Sequence, residues 1–176
     1  MKGPDTQDAL YRQAVATHGA AIERLARAYE ADADKRKDLL QEIHFALWRS
    51  FQIFEGRCSP GTWTYRVAHN AAMSYVVRQS RASSSVLASL EEVEAASDEI
   101  DYESKAERQM ALDRLFVLIH KLKPLDRQIM LLYLEDVDAP TIAEITGISP
   151  GHVRTQVYRI KTILNRWFHG GGGRRG

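Results

Sequence analysis

The stretch Pro140–Trp167, PTIAEITGISPGHVRTQVYRIKTILNRW, constrains the fold of this chain more than any other. Two helix-period segments flank a break at Gly147, Ile148 and Ser149. Thr141–Thr146 has room for under two turns of helix. Gly147 follows, and glycine takes a positive φ cheaply at a helix end. Ser149 offers a side-chain oxygen as N-cap, and Pro150 suits a first helical position that needs no N–H. From there Val153, Val157, Ile160, Leu164 and Trp167 recur at spacings of four, three, four and three, which is one helix face. The other face carries Arg154, Thr155, Gln156, Tyr158, Arg159 and Lys161. A short helix, a turn with glycine and a longer helix with a basic polar face make the helix-turn-helix layout, whose second helix enters the DNA major groove.

A plain helical hairpin with a solvated face is the competing interpretation, and charge separates the two. No acid follows Glu144, while Arg154, Arg159, Lys161, Arg166, Arg174 and Arg175 place six fixed cations in the last 32 residues. A merely solvated face usually mixes signs. A face that meets phosphate need not.

The net charge of +1 therefore hides strong segregation. Hydrophobic content of 44% and charged content of 27% signal neither disorder nor a membrane class. The chain is long enough for one domain or two small ones. The lone cysteine, Cys58, cannot form an internal disulfide, so a reducing cytoplasmic setting is expected. The start, MKGPDTQDAL, lacks the apolar core of a signal peptide, and no run of about 18 apolar residues exists to span a membrane.

Taken in order, residues 5–30 show rough helical spacing of Leu10, Ala14, Val15, Ile22, Leu25, Ala26 and Tyr29, with a break expected near His18-Gly19. Asp38–Phe54 follows as a helix with Leu39, Ile43, Leu47 and Phe51 on one stripe, flanked by Leu40, Trp48 and Phe54. Asp38, Gln41, Glu42 and Phe45 lie away from the centre of that stripe. Glu55–Gly61 is loop-forming. Thr62–Arg81 reads as a basic helix bearing Trp63, Tyr65 and Tyr75, with Arg57, Arg66, Arg78 and Arg81 as cations and no acid from Gly56 to Leu90. Cations interleaved with aromatics suit single-stranded nucleic acid, because bases stack on rings while cations track phosphates. Trp63 fits that role and a core role equally; Tyr75 fits the core better.

Between Glu91 and Glu107 there are eight acids against the single Lys105. Such a block repels itself and buries little, so residues 82–104 read as a flexible acidic linker. Helical patterning resumes from Ala106 to Leu122 with Met110, Leu112, Leu115, Phe116, Leu118 and Ile119, and ends before Pro124. Leu125–Leu134 gives a further buried face of Leu125, Ile129, Leu132 and Tyr133. Residues 170–176 form a flexible basic tail. No useful stretch alternates with a period of two, so the expected fold is all-α: two small helical domains, 1–81 and 105–169, joined by the linker.

By their order and spacing these segments resemble the extracytoplasmic-function (group IV) sigma factors of the sigma-70 family, initiation subunits of bacterial RNA polymerase. The resemblance rests on DLLQEIHFALW at 38–48, Phe54 with Gly56, TWTYRVAHN at 62–70 with Arg78 following, and LDRQIMLLYLEDVDAPTIAEITGISPGHVRTQVYRIKTIL at 125–164. It implies that Asp38, Gln41, Glu42 and Phe45 meet the coiled coil of the polymerase β′ subunit. It implies that Phe54–Thr62, with Arg57, forms the loop that captures a flipped base of the −10 element. Trp63, Tyr65, Arg66, His69, Asn70 and Arg78 then match the helix that opens the duplex and reads the −10 strand. Ser149, His152, Arg154, Thr155, Gln156, Tyr158, Arg159 and Lys161 match the helix that reads the −35 element. The implied partners are RNA polymerase core, through its β′ coiled coil and β flap, promoter DNA both duplex and single-stranded, and an anti-sigma factor; no cofactor or metal is implied. The chain departs from the family at Arg154-Thr155-Gln156, where Lys-Ser-Arg is common, and a glutamine pairs with adenine where arginine favours guanine. Ser59-Pro60-Gly61 is also unusual, and Pro60 is expected to stiffen the −10 loop.

Two other functions compete. A helix-turn-helix regulator with an N-terminal dimerisation or sensing domain explains the C-terminal half but not the basic aromatic segment 62–81. An enzyme using His44, Cys58 and His69 meets no common zinc spacing and no phosphate-cradling glycine loop.

Overall fold

The computed structural model describes residues 4–82 and 105–169, all helix and short connections. The helices are α1 (Pro4–Tyr29), α2 (Ala33–Ser50), α3 (Pro60–Ala82), α4 (Lys105–His120), α5 (Pro124–Leu134), α6 (Ala139–Thr146) and α7 (Pro150–His169). The expected acidic linker and basic tail lie outside the described residues.

In the N-terminal half α1, α2 and α3 pack on one another. The expected break at His18-Gly19 does not occur, and α1 runs through it. An interior glycine costs about 1 kcal/mol of helix propensity. Burial of Ala14, Ile22, Leu25 and Ala26 on either side outweighs it, since each large apolar side chain removed from water contributes about 1.5–3 kcal/mol. In α2 the stripe Leu39, Ile43 and Leu47 is fully buried, as the spacing requires. Asp32 starts that helix by accepting hydrogen bonds from the amides of Asp34 and Lys35. Phe51 stands just beyond its end, completely buried, and meets Phe54 edge to face with centroids 5.9 Å apart.

In the C-terminal half α5, α6 and α7 form a compact group with α4 against α5 and α7. The face expected for α5 is corrected in part. Ile129 and Leu132 are buried, but Leu125 and Tyr133 are exposed, and Asp126, Arg127 and Gln128 are covered instead. The cause is the placing of its neighbours: α5 touches α3, α4, α6 and α7, which cover Asp126–Leu132 and leave Leu125 and Tyr133 at the surface. Arg127 answers burial by donating to the carbonyls of His120 and Leu122, which the end of α4 leaves without helical partners. Met110 and Leu112 of α4, expected on a buried face, are exposed.

The two halves do not stand apart. One hydrophobic cluster contains Ile22, Leu25, Leu39 and Ile43 together with Ile119, Ile129, Ile142 and Ile160. Helix α4 packs on α1, and both α5 and α6 meet α3.

Candidate nucleic-acid interface

The helix-turn-helix forms from α6 and α7. Asp138 caps α6 by accepting from the Thr141 amide at 2.8 Å, and hydrogen bonding by Thr141 holds its carboxyl below the usual range. Gly147 ends α6 at φ 79°, and its N–H returns to the Ala143 carbonyl. Ser149 Oγ accepts from the His152 amide at 3.2 Å, and Pro150 opens α7. The cap, the turn glycine and the helix start therefore match the spacing in the sequence.

Val153, Ile160 and Leu164 anchor α7 in the core. His152, Arg154, Thr155, Tyr158, Arg159 and Lys161 are exposed, and Tyr158 at 76% is the most exposed large hydrophobic side chain among the described residues. Gln156 is only partly exposed, at the border between the polar face and the core. Arg159 is held from behind: its Nη2 donates to Asp126 Oδ2 at 2.9 Å. Lys161 leans over the Tyr133 ring, 5.4 Å from its centroid. The face thus has an outer edge of Arg154, Thr155 and Tyr158, and an inner edge of cations braced against α5.

The residues expected at the −10 element are arranged differently. Arg57 and Asn70 are exposed, Arg57 beside Glu55 at 2.7 Å. Trp63 is half-buried, donates from Nε1 to Ser50 Oγ at 2.9 Å, and lies 5.4 Å from the Phe54 ring. Tyr65 packs edge-on against His18 with centroids 5.1 Å apart. Three of the expected contacts are covered in this arrangement. Phe54, Thr62 and His69 are 5%, 7% and 1% exposed. The physical reason is the helical period. His69 turns toward Tyr29 of α1, Thr62 is bonded to Ser59, and Phe54 closes over Phe51 and Ala14. His69 faces the Tyr29 hydroxyl at 3.4 Å, and complete burial pulls its pKa down to about 3, so the ring is neutral at pH 7. Tyr75 is core, as the sequence favoured.

Pro60 is also corrected. It does not stiffen a loop but sits at the first position of α3, behind Ser59, whose Oγ accepts from the Thr62 amide at 3.0 Å.

The surface expected for polymerase contact is continuous. Asp38, Gln41, Glu42 and Phe45 are all exposed along one side of α2. Phe45 stacks on Trp48, whose Nε1 donates to Asp8 at 2.7 Å. Glu42 forms an ion pair with Arg78, joining two residues assigned to different partners.

Sequence reasoning missed the residues where the halves meet. Arg24 grips Glu135 with two parallel bonds of 2.6 and 2.7 Å, and the carboxylate raises the Arg24 pKa. Arg27 pairs with Asp113, and its guanidinium lies 4.5 Å over the Phe116 ring. Arg66, an expected −10 contact, instead gives Nη2 to both the carboxylate and the carbonyl of Glu144, each at 3.2 Å. No sequence signal pairs residues 78 or 111 positions apart.

Among the described residues no group of His, Cys, Asp and Glu could hold a metal, and no helix is long and apolar enough to cross a membrane.

Comparison with known proteins agrees with these two halves. The model of Sigma-70 region 2 matches residues 14–82, and that of Sigma-70 region 4 matches residues 112–164. The ECF RNA polymerase sigma-E factor of Haemophilus influenzae is 30% identical over 134 residues, covering 72% of this chain and 71% of that protein. RNA polymerase sigma factor SigV of Bacillus subtilis is 25% identical over 164 residues, 93% of this chain and 94% of its own. Among solved structures, the sigma factor RpoE in complex with the anti-sigma factor NepR from Bartonella quintana aligns with a TM-score of 0.67 at 18% identity, over 89% of this chain and 95% of that one. CnrH in complex with the cytosolic domain of CnrY gives 0.62 at 20% identity, over 88% and 84%. A regulator with an unrelated N-terminal sensing domain does not account for the match over 14–82. This chain belongs to the sigma-70 family, in its extracytoplasmic-function branch, and is an RNA polymerase sigma factor.

Proposed function

We propose a division of labour between the two halves. Residues 1–81 dock on polymerase core and open and read the −10 element, residues 105–169 read the −35 duplex, residues 82–104 join them, and residues 170–176 add a basic tail. The observation that carries this is the exposed edge of α7, where Arg154, Thr155 and Tyr158 point away from a buried apolar stripe. Arg154 and Gln156 read base edges there, and Ser149, His152, Thr155, Tyr158, Arg159 and Lys161 hold the backbone; phosphate contacts position while base contacts specify.

On α3 and the loop before it the strand-contacting set is Arg57, Trp63, Tyr65, Arg66, Asn70 and Arg78. Phe54, Thr62 and His69 act through packing, by fixing the loop and the helix that carry those groups. Unstacking costs a few kcal/mol per step. Stacking on an aromatic ring recovers about 1–3 kcal/mol per base. The exposed side of α2, Asp38, Gln41, Glu42 and Phe45, receives the β′ coiled coil, and the C-terminal half meets the β flap. The chain makes and breaks no covalent bond; polymerisation belongs to the core enzyme, which places this protein in the cytoplasm. An anti-sigma factor completes the set of partners, as in the complexes of two proteins of like fold.

Run-off transcription with purified core polymerase on a library of promoter sequences tests this reading. Initiation confined to templates sharing two spaced elements is the expected result. Initiation governed by one element alone would remove the assignment of two readers.

A further inference from the structure

Helix α5 lies behind the reading helix and touches it near both of its own ends. Asp126 stands in its first turn and Tyr133 in its last, seven positions apart, which is about 10 Å along a helix axis. Asp126 accepts from Arg159 Nη2 at 2.9 Å. Tyr133 receives Lys161, whose Nζ lies 3.4 Å from the hydroxyl and 5.4 Å from the ring centroid. Arg159 and Lys161 are two positions apart, so a period of 3.6 sets them about 200° apart around α7. They therefore stand on opposite flanks of the helix. Arg154, Thr155 and Tyr158 occupy the exposed arc between them, and Val153, Ile160 and Leu164 the buried one. Helix α5 thus runs across the back of α7 and holds one cation on each side.

The two braces work by different chemistry. The Asp126 side chain is 10% exposed and that of Arg159 is 52% exposed. A carboxylate withdrawn from water needs a partner, so it draws the guanidinium back to α5 and stops it swinging freely. The contact is a single bond, unlike the two-pronged grip of Glu135 on Arg24. The rest of the Arg159 fork stays free for a second acceptor in front. Tyr133 holds Lys161 without neutralising it, because the face of the ring attracts the cation, and no acid pairs with Lys161 among the described residues.

We propose that Asp126 and Tyr133 are positioning residues for duplex binding, through which α5 aims Arg159 and Lys161 at the two phosphate strands bordering the −35 groove. The proposal rests on reading Arg159 and Lys161 as backbone contacts. A helix lying in the major groove has one strand on each flank, and the groove is about 12 Å wide, close to the span of α5 between its braces. Long cationic side chains lose rotamer freedom when they meet phosphate, and a side chain already held loses less. Phosphate contacts fix register. Two held cations, one per flank, therefore centre the outer edge of α7 over the base pairs that it reads.

The test measures binding of the full chain to short DNA duplexes of random sequence over a series of salt concentrations. Four single variants are compared: Asp126→Ala, Tyr133→Leu, Arg159→Ala and Lys161→Ala. Asp136→Asn, which neutralises an exposed acid of the same half, is the control for charge. By charge alone, removing an acid tightens binding to DNA. Asp126→Ala is expected instead to weaken it by about threefold or more and to lower the salt slope by about 1, as Arg159→Ala does. That slope change is about 3.5-fold less affinity lost between about 0.05 and about 0.2 M salt. Tyr133→Leu is expected to behave in the same way through Lys161. Each brace variant combined with its own cation variant is expected to add nothing to the cation variant alone. If Asp126→Ala binds as tightly as Asp136→Asn with an unchanged slope, the proposal is overturned. A double variant weaker than Arg159→Ala alone also overturns it, because Asp126 then acts through the fold. Tyr133 is at the surface, so its arm decides even where Asp126→Ala unfolds the chain. A slope unmoved by Tyr133→Leu overturns the brace on two flanks. If Arg159→Ala and Lys161→Ala themselves leave the slope unchanged, the phosphate reading has failed, and the brace has nothing to aim.

Discussion

The two reader helices start alike and end up in different surroundings. Both open with Ser-Pro-Gly, at 59–61 for α3 and at 149–151 for α7. In both, the serine oxygen takes the amide three residues on, and the proline fills the first helical position. Beyond that shared cap they diverge. A Cβ on Gly151 would meet nothing within 4 Å, whereas one on Gly61 would come within 3.1 Å of His18. Helix α7 buries one stripe and shows the rest to solvent. Helix α3 is enclosed by α1, α2, α5 and α6. Local sequence sets how a helix begins; its neighbours decide which of its residues can touch DNA.

The comparison breaks most visibly where α3 depends on packing that α7 lacks. Phe51 is completely buried and supports Phe54, which in turn supports Trp63. Phe51→Ala is expected to cost about 3–5 kcal/mol of stability. Chemical denaturation measures the loss, and −10 function is expected to fall with it. A loss below about 1 kcal/mol would mean that the loop before α3 does not rest on this cluster.

The opposite behaviour is expected on α7. Arg154 is exposed and makes no ion pair among the described residues. Arg154→Ala is expected to leave the melting temperature unchanged while costing about 1–3 kcal/mol of discrimination at one −35 base pair. Competition binding to duplexes that differ at single positions reads this directly. A uniform loss over all sequences would recast Arg154 as a phosphate contact, and the helix register toward DNA would need to rotate.

These contrasts explain what was legible in the sequence. The all-helical fold, the break at Gly147 and the Ser149 cap follow from local rules, and the buried stripes of α2 and α7 follow from a period of 3.6. Of the residues the sequence places on the polar face of α7, all but the partly covered Gln156 are exposed, because a helix at the surface obeys its own period. On α3 the family resemblance assigned His69 and Thr62 to the −10 element, and neighbouring groups cover both. An all-round polar and aromatic pattern does not say which side the rest of the protein will cover. The contacts between the halves were not legible at all: they join Arg24 to Glu135 and Arg66 to Glu144, residues with no local relation.

His69 sharpens the comparison through pH. The unfolded chain takes up a proton on this ring near pH 6.5, while burial delays uptake in the folded chain to about pH 3. Between those values the unfolded state binds more protons, so stability falls as pH falls. The loss is expected to be about 1–2 kcal/mol between pH 6.5 and pH 5. His69→Asn removes the titrating group, and the slope of stability against pH over that window is expected to flatten. A slope unchanged by the substitution would assign the acid sensitivity to another group.

The smallest effect tests the shared cap itself. Gly151→Ala puts a methyl into open space in a helical first turn, and removing glycine's freedom in the unfolded chain is expected to stabilise the protein by about 0.4–1 kcal/mol. Gly61→Ala makes the same local change against the His18 imidazole, which must shift by a few tenths of an ångström while its other side rests on Tyr65. The gain there is expected to vanish or reverse. Equal gains at the two glycines, measured by thermal unfolding, would show that His18 yields freely and that α3 is less tightly enclosed at its start than its contacts imply. Unequal gains would locate the difference between the two readers in their first turn, where both read Ser-Pro-Gly.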